Sequence, residues 1–236
     1  MTTKPLFLYQ EWLQRQLDEY LRSPRPPQLR GRDITMTPRQ YGAALMQAYL
    51  GKASLAWIAD QTGIALETLR RWRREPEFLL LMDWSKSLFA AAFHEALVLH
   101  DYSLVEYHDL AAEFALLDES LRVMARVPLY DRFKTTGAAL ISKHENGIPL
   151  PDFDLRLFRR LLLFFLALEH HWPGAAARRL REEFIPLAKD VVWPRLGQEH
   201  WVEAALSSIQ QSTPLSQIQL VLSGQLKQLF LRLPGE

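Results

Sequence analysis

Four arginines crowd into five positions, Arg70, Arg71, Arg73 and Arg74, with Glu67 three residues before the first. A guanidinium is permanently charged, planar and rich in donors. Such a cluster suits phosphate oxygens and, in its fork geometry, the O6/N7 edge of guanine. A second group gathers His94, Glu95, His100, Asp101, Glu106, His108, Asp109 and Glu113. Imidazoles and carboxylates can hold a metal. A di-metal site on helices, however, needs Glu-x-x-His pairs that bring both ligands to one face, and the chain contains none. This group therefore reads as solvated or core-edge histidines. Glu169, His170 and His171 are consecutive, so they fan apart around a helix, and the histidines complement the dipole at its C-terminus. The absence of cysteine excludes disulfides, thiolate metal sites and cysteine catalysis together. No Gly-rich phosphate loop or nucleophile elbow is present, and Glu182 and Glu183 are adjacent, the wrong spacing for acid/base cooperation. The sequence thus assigns no catalytic residue, no metal and no cofactor, and it is not read as an enzyme.

The arginines belong to the stretch Ser54 to Arg74, SLAWIADQTGIALETLRRWRR. Ser54 is placed to cap a first helix, Leu55 to Thr62. Gly63 tolerates the left-handed conformation of a tight turn. A second helix is predicted from Leu66 to about Arg74. Ile58, Ile64, Leu69 and Trp72 are the apolar positions that pack the pair, and Ala59 is small where the helices approach.

At these residues the chain resembles the helix-turn-helix family of DNA-binding domains. The likeness spans about 40 residues if Arg39–Leu50 is the preceding helix and Pro76 onward the following one. RRWRREPEF, Arg70 to Phe78, is similar to the end of this motif in phage terminase small subunits and some transposase-like proteins. The overall plan, with an all-helical remainder, is similar to TetR-type repressors. The resemblance implies that the second helix enters a major groove. It presents Ala65, Leu66, Glu67, Arg70, Arg71 and Arg74 outward, with Arg73 as a further phosphate anchor. Leu66 and Ala65 suit the methyl group of thymine. It also implies double-stranded DNA as partner, a homodimer, transcriptional regulation in the cytoplasm, and an apolar small-molecule effector. A second reading stays open: similar layouts serve as structural units in protein-interaction scaffolds. By count, the four arginines are matched by Asp60, Glu67, Glu75 and Glu77.

The rest of the chain must position this stretch. Its length of 236 residues allows one large domain or two small ones, and 48% hydrophobic with 23% charged residues is ordinary for a folded protein. Net charge is only +1, so affinity for nucleic acid has to come from local clustering. From Arg22 to Lys52, six cations face Asp33 alone. Arg30 and Arg32, in the Pro-rich linker Ser23 to Pro38, are candidate DNA contacts as a basic arm. Leu6 to Leu21 is an amphipathic helix, with Leu8, Trp12, Leu13, Leu17, Tyr20 and Leu21 on one face.

Thr37–Pro38 starts the helix Arg39 to Leu50. Pro76 opens a long apolar helix to about His100. Ser103 and Glu106 form a capping box for Leu104 to about Arg126, stopped by Pro128. Leu129 to Lys143 is a weaker helix, His144 to Asp154 a loop, and Asp154 the cap of Leu155 to Trp172. Further helices are predicted at 175–192, 197–211 and 214–233. The run Leu161 to Leu168 is too short to span a membrane, which takes about 18 residues or more. The expected fold is all-α: an N-terminal helix and linker (1–38), a trihelical unit (39–78) and a multi-helix bundle (79–236). The aromatic residues are expected mainly in the core.

Overall fold

The computed structural model describes residues 6–22, 28–29, 31–33, 35–49, 54–171 and 214–234, with isolated positions 182, 186, 204 and 207. The fold is all-α. The helices are α1 (Leu8–Arg22), α2 (Pro38–Tyr49), α3 (Leu55–Thr62), α4 (Leu66–Trp72), α5 (Pro76–Leu99), α6 (Leu104–Leu116), α7 (Glu119–Glu145), α8 (Asp152–His171) and α9 (Leu215–Leu231). Among the described residues one β pairing occurs, an antiparallel ladder of Gln28–Leu29 with Arg32–Asp33. The predicted helices at 175–192 and 197–211 lie outside the described residues.

Two compact units interleave along the chain, whereas the sequence reading cut it linearly at 38 and 78. One comprises Phe7–Ala92, Leu116–Met124 and Ser216–Glu236; the other Met1–Leu6, Phe93–Ala115 and Ala125–Leu215. In the first, α1 packs on α2, α2 on α3 and α3 on α4. The apolar face of α1 buries Tyr9, Trp12, Leu13 and Leu17. Tyr9 stacks on Tyr49 with centroids 3.5 Å apart, meets the edge of Phe89, and donates its hydroxyl to the Leu45 carbonyl. Tyr20 stacks on Tyr41 at 4.3 Å and donates to the Met36 carbonyl, tying the end of α1 to the segment leading into α2. Every residue from Tyr41 to Tyr49 is buried, which makes α2 the centre of this unit.

The C-terminal helix also belongs here. A Cβ on Gly42 would meet Phe230 Cζ at 3.0 Å, Leu17 at 3.2 Å and Leu233 at 3.3 Å. Alpha9 therefore lies against α1 and α2, close enough that even a methyl group at Gly42 would need these side chains to give by a few tenths of an ångström. Gly42→Val is expected to lower Tm by roughly 5 °C, because overpacking a filled core costs about 2 kcal/mol. Thermal melts followed by circular dichroism check this, and an unchanged Tm would mean that α9 yields easily.

Beyond α5, the helices differ from the sequence reading at three places. Alpha6 stops at Leu116, and the helix beyond it starts afresh at Glu119. Asp118 is the reason: its carboxylate accepts from the Ser120 N–H at 2.9 Å, as an N-cap does, while its own N–H donates to the Tyr49 carbonyl at 2.7 Å. Pro128 does not end a helix; it lies inside α7. It is exposed, so the backbone rung it removes faces solvent, where the loss is cheapest. The expected loop from His144 to Asp154 is shorter. Alpha7 runs to Glu145 and closes with Ile148 N–H to the Lys143 carbonyl and Gly147 N–H to the His144 carbonyl, with Gly147 at φ 66°. Alpha8 begins at Asp152, and Asp154 does not cap it but pairs with Lys143 at 3.0 Å.

In the second unit, Leu161 to Leu168 is buried throughout, with Phe164, Phe93 and Phe114 in mutual ring contact. Among the described residues no helix is long and apolar enough to cross a membrane.

Candidate nucleic-acid interface

The turn between α3 and α4 forms as its residue types dictate. The Ser54 hydroxyl accepts from the Trp57 N–H at 3.1 Å, and Gly63 takes the left-handed conformation at φ 66°. Thr62 donates to the Ile58 carbonyl at 2.8 Å and accepts weakly from the Ile64 N–H at 3.4 Å, fixing the exit of the turn. Ile58, Ile64, Leu69 and Trp72 are all buried, Leu69 completely. Trp72 also leans on Phe78 at the start of α5, with ring centroids 6.1 Å apart. This inner face fixes the rotation of α4 and hence what its outer face presents.

Arg70, Arg71, Arg73 and Arg74 are all exposed, as are Ala65 and Glu67, while Leu66 is half-buried. The second helix is shorter than predicted, ending at Trp72. Arg74 N–H bonds to the Arg71 carbonyl and Glu75 N–H to the Trp72 carbonyl, a tighter winding that turns the chain toward Pro76. Arg73 and Arg74 therefore sit on the α4–α5 turn, beside Arg70 and Arg71 on the helix.

Charges that cancel by count are separated in space. Arg70 is ion-paired with Glu67. Asp60 on α3 faces Lys227 of α9 at 3.6 Å. Glu75 is half-buried and Glu77 is exposed on α5. Among the described residues Arg71, Arg73 and Arg74 have no carboxylate in ion-pair range. The sequence reading missed Lys227, and no local signal could have found it, because the contact spans most of the chain.

The basic arm is only partly described. Arg30 lies outside the described residues. Arg32 pairs through its backbone with Leu29 in the short ladder, so part of the stretch expected to be a linker is a hairpin.

The histidine and carboxylate group is divided among structural tasks. Glu106 accepts from the Ser103 N–H at 2.7 Å while the Ser103 hydroxyl accepts from the Glu106 N–H, completing the capping box. Asp101 accepts from Arg160 Nε at 2.7 Å and from Nη2 at 2.9 Å. Asp109 accepts from the Leu6 N–H at 3.2 Å, and burial raises its pKa. Among the described residues no three His, Asp or Glu side chains converge as a set of metal ligands.

Burial, then the neighbouring His170, holds His108 below the usual imidazole range. Burial, then His170 and His108, takes His171 down to about 4. The fold thus favours neutral rings, whereas the unfolded chain takes up these protons near pH ~6.5. The stability they contribute is complete above that pH and is lost as pH falls toward 4. Between pH 7 and 5, Tm is expected to drop on the order of 5 °C. Asn at both positions should flatten the decline; an unaltered slope in that variant would assign it to other groups.

A cavity of about 310 Å³ lies between α1 and α9. Its lining mixes the carboxamides of Gln10, Gln14, Gln225 and Gln228 with aliphatic Leu220, Val221 and Leu229, and among the described residues no tryptophan or phenylalanine takes part. Trp12, Trp72, Phe78, Phe93, Phe114 and Phe164 are buried in the core instead, as expected for the aromatic residues.

No family model, curated protein or solved structure matches the chain.

Proposed function

We propose that the chain is a DNA-binding protein of the helix-turn-helix kind, a transcriptional regulator that acts in the cytoplasm as a homodimer. One observation carries the reading. Arg71, Arg73 and Arg74 stand exposed without carboxylate partners among the described residues, on and beside a short helix whose opposite face is locked in place by Leu69 and Trp72. Cations held outward on a rigid element suit a phosphate backbone, and the neighbouring outer face of α4 suits base edges. Titration of a labelled duplex at several salt concentrations tests the proposal. Affinity falling linearly on a log–log plot supports it, since each neutralised phosphate releases counterions. Affinity that is absent, or indifferent to salt, removes it.

A second reading, a protein-interaction scaffold, draws on one feature. Leu220 and Leu231 of α9 are 73% and 67% exposed, more than any other large apolar side chain described. Apolar residues on one solvent-facing helix suit a protein partner. Failure of duplex binding would make this the better account.

A further inference from the structure

We infer that the Glu67–Arg70 ion pair reads a G·C base pair as one unit, so that Glu67 sets base preference while Arg71, Arg73 and Arg74 hold the backbone. The inference rests on the DNA-binding reading above and assigns different tasks to residues that the reading treats together. Of the four arginines, Arg70 alone has a carboxylate partner among the described residues. Both partners are open to solvent, Arg70 at 51% and Glu67 at 79%, so the pair does not hold the fold together.

A carboxylate in a row of phosphate-seeking arginines is repelled by every phosphate it approaches. An ionised carboxylate only accepts hydrogen bonds. In the major groove its partner is therefore an exocyclic amino group, and cytosine N4 is the usual one. Arg70, partly neutralised by Glu67, is a weaker phosphate anchor than its neighbours. Its planar fork nevertheless keeps donors for guanine O6 and N7. In a G·C pair the cytosine N4 donor lies next to the guanine O6 acceptor, because the two are bonded to each other. An acceptor held beside a donor fork matches that edge. Residues three apart on a helix are separated by about 4.5 Å along its axis, close to the ~3.4 Å base-pair spacing. That offset is about one base-pair step, and the ion pair, which brings Arg70 Nη1 onto Glu67 Oε1, closes it, so that both head groups address one pair without parting.

Selection from a randomised duplex library, with the full chain and with its Glu67→Gln variant, tests this. Glutamine pairs with adenine N6 and N7. The parent chain is expected to enrich G·C over A·T about tenfold at one position. In the variant the G·C preference at that position should fall toward parity with A·T, as glutamine admits adenine, with the other positions unchanged and the salt slope raised by at most about 1, since Glu67 no longer offsets Arg70. Identical enrichment in the two proteins overturns the inference. So does a parent that binds with normal salt dependence but prefers no base pair. A parent that shows no salt-dependent binding overturns the DNA-binding reading itself and the inference with it. The first two results leave that reading standing.

Discussion

Replacing Arg71, Arg73 and Arg74 together with Ala is expected to weaken duplex binding roughly a hundredfold near 0.1 M salt and to lower the log–log salt slope by about 3. Both effects have one cause. Each guanidinium that neutralises a phosphate releases a condensed counterion, and that release is most favourable in dilute salt. These three arginines are exposed and have no carboxylate partner among the described residues. Their removal should therefore leave the fold within about 0.5 kcal/mol of the parent, and a thermal melt can show this separately. Arg70→Ala provides the contrast. Because Glu67 already offsets its charge, this variant should change the slope less than any one of the other three. A triple variant with parental slope would show that the arginines contact no phosphate, and DNA binding would have to be sought elsewhere or abandoned.

Arg160→Ala is expected to destabilise the chain by about 3 kcal/mol, a fall in Tm on the order of 10 °C. Arg160 is buried on α8, bonds bidentately to Asp101, and donates from Nη1 to the Val98 carbonyl at 2.6 Å. One side chain thus closes the end of α5 and the turn that follows it. Alanine leaves a buried carbonyl without its donor and a gap where the guanidinium stem was. Asp101→Asn should cost less, about 1 kcal/mol, because that carboxylate is half-exposed and water can replace part of what it loses.

The pH dependence separates the two variants. The hydrogen bond from Arg160, followed by its charge and those of Arg159 and Arg156, holds Asp101 below the usual carboxylate range. Stability from Asp101 is therefore present above pH ~4 and is lost as pH falls through the folded-state value. The parent should lose that increment in acid, whereas Asp101→Asn should lack it at every pH. Denaturant melts at pH 3 and pH 7 on both chains check the difference. A parental Tm for Arg160→Ala would mean that the pair is incidental to this unit.

The local signals in the chain were dependable where the stabilising bond runs between residues three or four apart. Ser54 capping α3, Gly63 in its left-handed turn, the Ser103–Glu106 box and the start of α5 at Pro76 all appear where the residue types place them. So does the burial of Ile58, Leu69 and Trp72, which follows from helical periodicity, and that of Ile64, an apolar residue in the turn between the two helices. The all-α class follows from the same source, and with it the exposure of Arg70 and Arg71 opposite a buried stripe.

Contacts between distant residues decided the rest. Pro128 read as a stop, yet the helix passes through it, and the break falls ten residues earlier, where Asp118 both caps α7 and bonds to Tyr49. Alpha9, assigned by its position to a C-terminal bundle, lies instead against Gly42 of α2. Lys227 draws Asp60 into a pair, so a segment neutral by count leaves three arginines without carboxylate partners among the described residues. Sequence by itself thus determined which stretches are helical and which face of each is apolar, because backbone bonds and side-chain spacing within a helix are local. Tertiary structure alone determined which helix covers which face and which charges remain to meet a partner, because burial and ion pairing depend on distance in space, whatever the separation along the chain.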